Sequence, residues 1–232
     1  MLNAQDFQHQ VKLNLSSLPL GIVSMAYEHP IKNGKSSWQI GARWMPSRQL
    51  PLQNLTGTVL RGINLNDDIQ VGKTAVGGFG LNAQIRWYLG KFKTKGLYVS
   101  PIIVHNNYAL GVPIELNLDS SNTNLGILFT GRYKDLSGGV QVGYQFHVRQ
   151  RISVDLLFAG LTVGGAKYSL RAQSPDLVLS AQELLEAELK LNEFGETLLN
   201  GAISQVTNNG VSFSAAGTTV GWRTGLAIGY RF

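Results

Sequence analysis

The sequence contains no cysteine. Disulfides and thiolate metal sites are therefore excluded. It is poor in charge: Asp, Glu, Lys and Arg make up 15% of the residues, against ~25% in ordinary soluble domains. It also lacks any apolar run approaching the ~18 residues that a membrane-crossing helix requires, which excludes a helical membrane protein. None of these absences excludes a chain that crosses a bilayer with strands. Lipid-facing residues then alternate with polar ones, and the average conceals them. A mean hydropathy of +0.00 is compatible with that arrangement. Blocks of Lys or Arg are absent as well. The net charge of +6 is carried by scattered residues, so no nucleic-acid partner is expected.

Alternation dominates what is present. Over the closing stretch Val220, Trp222, Thr224, Leu226, Ile228, Tyr230 and Phe232 alternate with Gly221, Arg223, Gly225, Ala227, Gly229 and Arg231. This period of two runs longer than the ~5–6 residues of a usual soluble strand. It suits a tilted membrane strand of ~9–11 residues. The same pattern recurs at Phe79–Leu89, with Arg86 and Tyr88 on the polar side, and at Leu136–His147. It recurs again around Trp38–Trp44, Val11–Leu15 and Ile152–Phe158. Gly21–Glu28 and Gly96–Tyr108 read as strands whose faces the pattern does not assign. The expectation is one all-β domain over 1–232, an eight-stranded antiparallel up-and-down transmembrane barrel. The 27 glycines suit its turns and close strand contacts.

The connections read, in order, short, short, long, short, long, short, long. The long ones are Met45–Gly78, Gly111–Asp135, whose second half can instead extend a strand, and Arg171–Gly217. Bacterial barrels keep short turns on the periplasmic side and longer loops outside. That order predicts periplasmic termini, extracellular long loops and a place in a bacterial outer membrane. Leu2-Asn3-Ala4 resembles the small-residue end of a signal-peptide cleavage site. Ser180 and Glu183 form a capping box before Leu184, Ala187, Leu191, Phe194 and Leu198 at helical spacing. A helical insertion is expected within about 175–209, running to about Val206. It acts either as a lid on the rim or as a docking element for a partner.

FGLNAQIRWYLGKFKTKGLYVSPII, LSGGVQVGYQFHV and TVGWRTGLAIGYRF together resemble a family of small outer-membrane barrels from Bacteroidota, catalogued as a domain of unknown function. The resemblance spans most of the chain and rests on strand patterns. It implies architecture and supplies no catalytic residues. Ile228, Tyr230 and Phe232 resemble the terminal strand that barrel-assembly machinery recognises.

The lumen side is expected to hold Lys12, Glu28, Arg43, Arg86, Asp155, Arg223 and Arg231. Eight strands leave an interior only just wide enough for side chains. These charges then form either a salt-bridged plug or, less economically, a solute path. No metal, cofactor or catalytic residue is expected. His9, His29, His105 and His147 lack ligand spacing, and no Ser/His/acid trio lies on one face. Asn64-Leu65-Asn66-Asp67-Asp68 has oxygen ligands without the spacing of a calcium loop. The expected function is a non-enzymatic structural or accessory subunit of a larger outer-membrane assembly, in contact with the lipid bilayer and with other outer-membrane proteins. The alternatives are a lipid-modifying outer-membrane enzyme and a small passive pore.

Overall fold

The computed structural model describes residues 9–31, 35–49, 69–71, 75–90, 94–118, 123–148, 151–173, 189, 203–207 and 210–232. The strands are β1 (Gln10–Asn14), β2 (Val23–Ile31), β3 (Ser36–Gln49), β4 (Ile69–Val71), β5 (Ala75–Tyr88) and β6 (Gly96–Leu118). They continue with β7 (Thr123–His147), β8 (Ile152–Gln173), β9 (Ile203–Thr207) and β10 (Gly210–Arg231). Eight of them close an antiparallel ring in the order β1-β2-β3-β5-β6-β7-β8-β10, with β10 returning to β1. The short strands β4 and β9 add to β6 and β10 outside this circuit.

Closure rests on a short seam. Gln10↔Arg231 to Asn14↔Ala227 are the paired positions. His9 and Phe232 exchange two backbone bonds of 3.2 and 3.0 Å beyond its lower end. Above the seam β1 turns at once into β2. Ser17 Oγ donates to the carbonyls of Asn14 and Ile22, and Gly21, at φ 61, takes a left-handed conformation there. The barrel is consequently cut obliquely. The wall is low at β1 and β2, whereas β6, β7, β8 and β10 each run for 22 residues or more.

Side-chain alternation sorts the wall into two faces. On β5 Phe79, Leu81, Ile85 and Trp87 are exposed on the outside, while Gln84, Arg86 and Tyr88 are buried inside. On β7 Leu136, Val140 and Tyr144 face out, and Asp135, Ser137, Gln141 and Gln145 face in. The outward apolar stretch from Leu136 to Phe146 climbs roughly 25 Å at an ordinary barrel tilt, the height of a bilayer's apolar band. Trp87 and Tyr230 lie at the rim carrying the termini. Trp44, Phe79 and Trp222 lie further up, all exposed. No helix among the described residues is long and apolar enough to cross a membrane.

Two expectations change. The connection read as Gly111–Asp135 is mostly strand: β6 and β7 pair continuously from Gly96↔Gln145 to Leu118↔Thr123. The expected helical insertion does not reach Val206, because 203–207 pair with β10 as β9. Ile203, Val206 and Thr207 are β-branched, and an available strand edge outweighs a weak helical pattern. Leu184, Ala187, Leu191, Phe194 and Leu198 lie outside the described residues, as do Asn33-Gly34 and 64–68.

Candidate functional site

The lumen contains the densest chemistry of the described residues. Lys12 on β1, Glu28 on β2, Arg86 on β5 and Asp155 on β8 meet across the barrel. Each occupies the inward position of its strand's alternation. Lys12 Nζ lies 2.5 Å from Glu28 Oε2 and 2.6 Å from Asp155 Oδ2. Arg86 Nη1 lies 2.5 Å from Asp155 Oδ2 and 3.5 Å from Glu28 Oε2. Two cations and two carboxylates thus form a closed cycle with no net charge.

Buried ion pairs repay their desolvation only when the remaining donors and acceptors are also satisfied. They are satisfied here. Lys12 donates its third bond to Gln145 Oε1 at 2.6 Å. Glu28 also accepts from Gln10 Nε2 (2.7 Å), Ser37 Oγ (2.5 Å) and Tyr88 Oη (2.5 Å). Asp155 Oδ1 accepts from Tyr98 Oη at 2.8 Å. With its amide oxygen turned toward Arg86, Gln84 accepts from Arg86 Nη2 (2.9 Å), Arg86 Nε (3.1 Å) and Gln39 Nε2 (2.7 Å). The Arg86 guanidinium also lies 4.3 Å from the centroid of the Tyr98 ring, a cation–π contact.

Tyr98 fits because its cross-strand partner is Gly143. A Cβ at Gly143 would fall within the Tyr98 phenol. Gly143→Val should therefore lower unfolding stability by about 1–3 kcal/mol through overpacking. Gly165→Val is the control, since a Cβ there meets nothing within 4 Å. Denaturant titration of refolded barrels measures both, and equal effects would contradict the packing described.

A second tier lies above. Asp135 and Asn106 face each other across β6 and β7. Asn106 donates to Asp135 from its backbone N and its Nδ2, both at 2.9 Å, and Tyr133 Oη donates at 2.7 Å. Arg43 Nη2 donates to Asn106 Oδ1 at 2.5 Å. Tyr108, Tyr133 and Tyr168 lie side by side on β6, β7 and β8, with centroid spacings of 6.2 and 4.9 Å. Between the tiers is a lumen space of about 70 Å³ lined by Gln39, Asn82, Gln141 and Arg223. It has room for on the order of a few waters.

Of the seven expected lumen charges, Lys12, Glu28, Arg86 and Asp155 come together. Arg43 belongs to the upper tier and Arg223 lines the space between. Arg231 stands at the lower rim, where its Nη1 donates to His147 Nδ1 at 3.2 Å. Sequence reasoning did not single out Tyr98, Asp135 or Asn106. Gly143, a glycine amid polar inward residues, was the available sign that a bulky side chain lay opposite.

The four histidines are apart from this cluster. His9 bonds Tyr27 Oη, lies 3.1 Å from His29 (Nδ1 to Nδ1), and stacks on Phe232. His105 Nδ1 donates to the backbone oxygen of Asp135 at 2.7 Å. Among the described residues no group of three or more His, Asp or Glu is arranged to hold a metal ion.

No family model matches the chain, and no curated protein matches it. Among solved structures, the crystal structure of Acinetobacter baumannii CarO2 is similar, with a TM-score of 0.43 at 10% identity, covering 97% of this chain and 97% of that chain. The barrel described above stands on this chain's own strand pairing.

Proposed function

We propose that this chain spans a bacterial outer membrane as a closed, non-enzymatic barrel and serves as a structural or accessory subunit of a larger assembly. One observation carries the reading. The same strands place an apolar belt outside and a charge-neutral, hydrogen-bonded cycle inside. An apolar belt of bilayer height has no use in water, and the cycle fills an interior that eight strands leave only just wide enough for side chains. Short connections at the terminus-bearing rim support a periplasmic position for that rim. Ile228, Tyr230 and Phe232, outward on the last strand, are then the segment offered to barrel-assembly machinery. The tall wall of β6, β7, β8 and β10 projects outward, where other outer-membrane proteins can reach it. Specificity resides in such projections when a lumen is filled.

Three measurements test the proposal. Reconstituted protein should migrate as a heat-modifiable band and carry no steady single-channel current in a planar bilayer. Native-detergent affinity purification should recover a stoichiometric outer-membrane partner. A monodisperse monomer without detergent would overturn the membrane reading, sustained channel currents the closed lumen, and purification as a lone barrel the accessory role.

A further inference from the structure

The outer wall of β7 and β8 changes character at one level. Up to Leu136 on β7 and Val163 on β8 its exposed residues are apolar. Just above, Lys134, Arg132, Lys167 and Arg171 are all exposed. Alternation puts them outside, on the face opposite Asp135. Lys134 is the direct cross-strand partner of Lys167. Arg132 pairs with Ser169, and Thr130 with Arg171. Arg132 thus sits diagonally between Lys167 and Arg171, where such neighbours stand ~7–8 Å apart.

Like charges directly opposite in a ladder are destabilising. Among the described side chains of this face none compensates them. The outward residues on either side are Asn107 and Ala109 on β6 and Ser214, Ala216 and Thr218 on β10. Among the described side chains on this outer face of β6, β7, β8 and β10 there is no carboxylate. Glu115, the next acid along β6, lies beyond Ala109 toward the strand's far end. Four cations thus converge with no counter-charge among the described side chains of this face, at the height where the apolar belt gives way to headgroups.

We infer that Arg132, Lys134, Lys167 and Arg171 form a binding site for a phosphate-bearing lipid headgroup in the leaflet at the rim opposite the termini. The inference rests on the membrane reading above and specifies which lipid the wall recognises. Guanidinium groups take phosphate oxygens two at a time, and the lysines add point charges. The lipid's acyl chains lie along Leu136, Val140, Leu161 and Val163 directly below, so one molecule satisfies both zones. A soluble anion would use only the upper one.

The test compares wild type with Lys134→Gln/Lys167→Gln and Arg132→Gln/Arg171→Gln. The protein is refolded into vesicles of phosphatidylcholine alone, or with a minor fraction of bisphosphorylated lipid A or its dephosphorylated form. All three proteins should insert into phosphatidylcholine alone, as read by heat-modifiable migration. Wild type should be stabilised by the bisphosphorylated lipid only and retain it in native mass spectrometry. Retention should fall about fivefold for each cation removed. Insertion of wild type with neither stabilisation nor lipid retention depending on the lipid phosphates would overturn the site and leave the membrane reading intact. Failure of wild type to insert into any vesicle would overturn both. Equal stabilisation by inorganic phosphate would show a plain anion site, and the lipid assignment would fall.

Discussion

Arg86→Met is expected to lower the free energy of unfolding by about 3–5 kcal/mol, the usual effect of removing one partner from a buried ion pair. The substitution keeps the stem's volume and leaves Glu28 and Asp155 to share Lys12. Gln84 loses the guanidinium at its oxygen, and Gln145 loses a 3.2 Å donor. The result is an uncompensated negative charge on two buried carboxylates. Adding Glu28→Gln restores neutrality, because Lys12 and Asp155 remain paired at 2.6 Å. The double variant should therefore recover part of the loss, a coupling that a double-mutant cycle isolates. Equilibrium unfolding of the reconstituted barrel is the measurement. A neutral Arg86→Met would show that the cycle does not hold the lumen closed. Strictly additive losses would show that Glu28 and Arg86 are energetically independent.

Val140→Arg should destabilise the inserted barrel by about 2–4 kcal/mol, the effect of an arginine near the bilayer midplane of a barrel wall. Val140 is 53% exposed and faces out between Pro101 and Leu161, midway along the apolar stretch of β7. Leu128→Arg places the same side chain on the same face of the same strand, at a position 60% exposed and well above the belt. There the effect should fall to about 0–1 kcal/mol. Chemistry, strand and exposure are shared, so the difference reports depth in the membrane alone. Refolding titrations into phosphatidylcholine vesicles give both values. Equal values for the two variants would mean that the belt is not set in hydrocarbon.

The sequence by itself determined the faces. Successive side chains on a strand point to opposite sides, so Trp87 and Ile85 had to lie outside once Arg86 and Gln84 lay inside. The same argument placed Lys12 and Asp155 in the lumen and Trp222 and Tyr230 on the wall, whereas on Gly21–Glu28 the pattern assigned no face. It failed on β6, where Tyr98, Ile102 and Val104 face in while Leu97 and Ile103 face out. Both faces are apolar there, so alternation carries no signal. It also misjudged where strands end. Residues 112–118 do alternate, Val112, Ile114, Leu116 and Leu118 against Pro113, Glu115 and Asn117, so that extension was legible; residues 203–207 do not, and there pairing with a neighbouring strand decides the state. Which lumen charges would meet was not legible at all. Lys12 and Asp155 are 143 positions apart. Their contact depends on how the strands stagger as the ring closes, a property of the whole sheet. The basic patch on the outer wall has the same origin. Lys134 and Lys167 are unremarkable charges in the sequence, and the β7–β8 register alone sets them side by side.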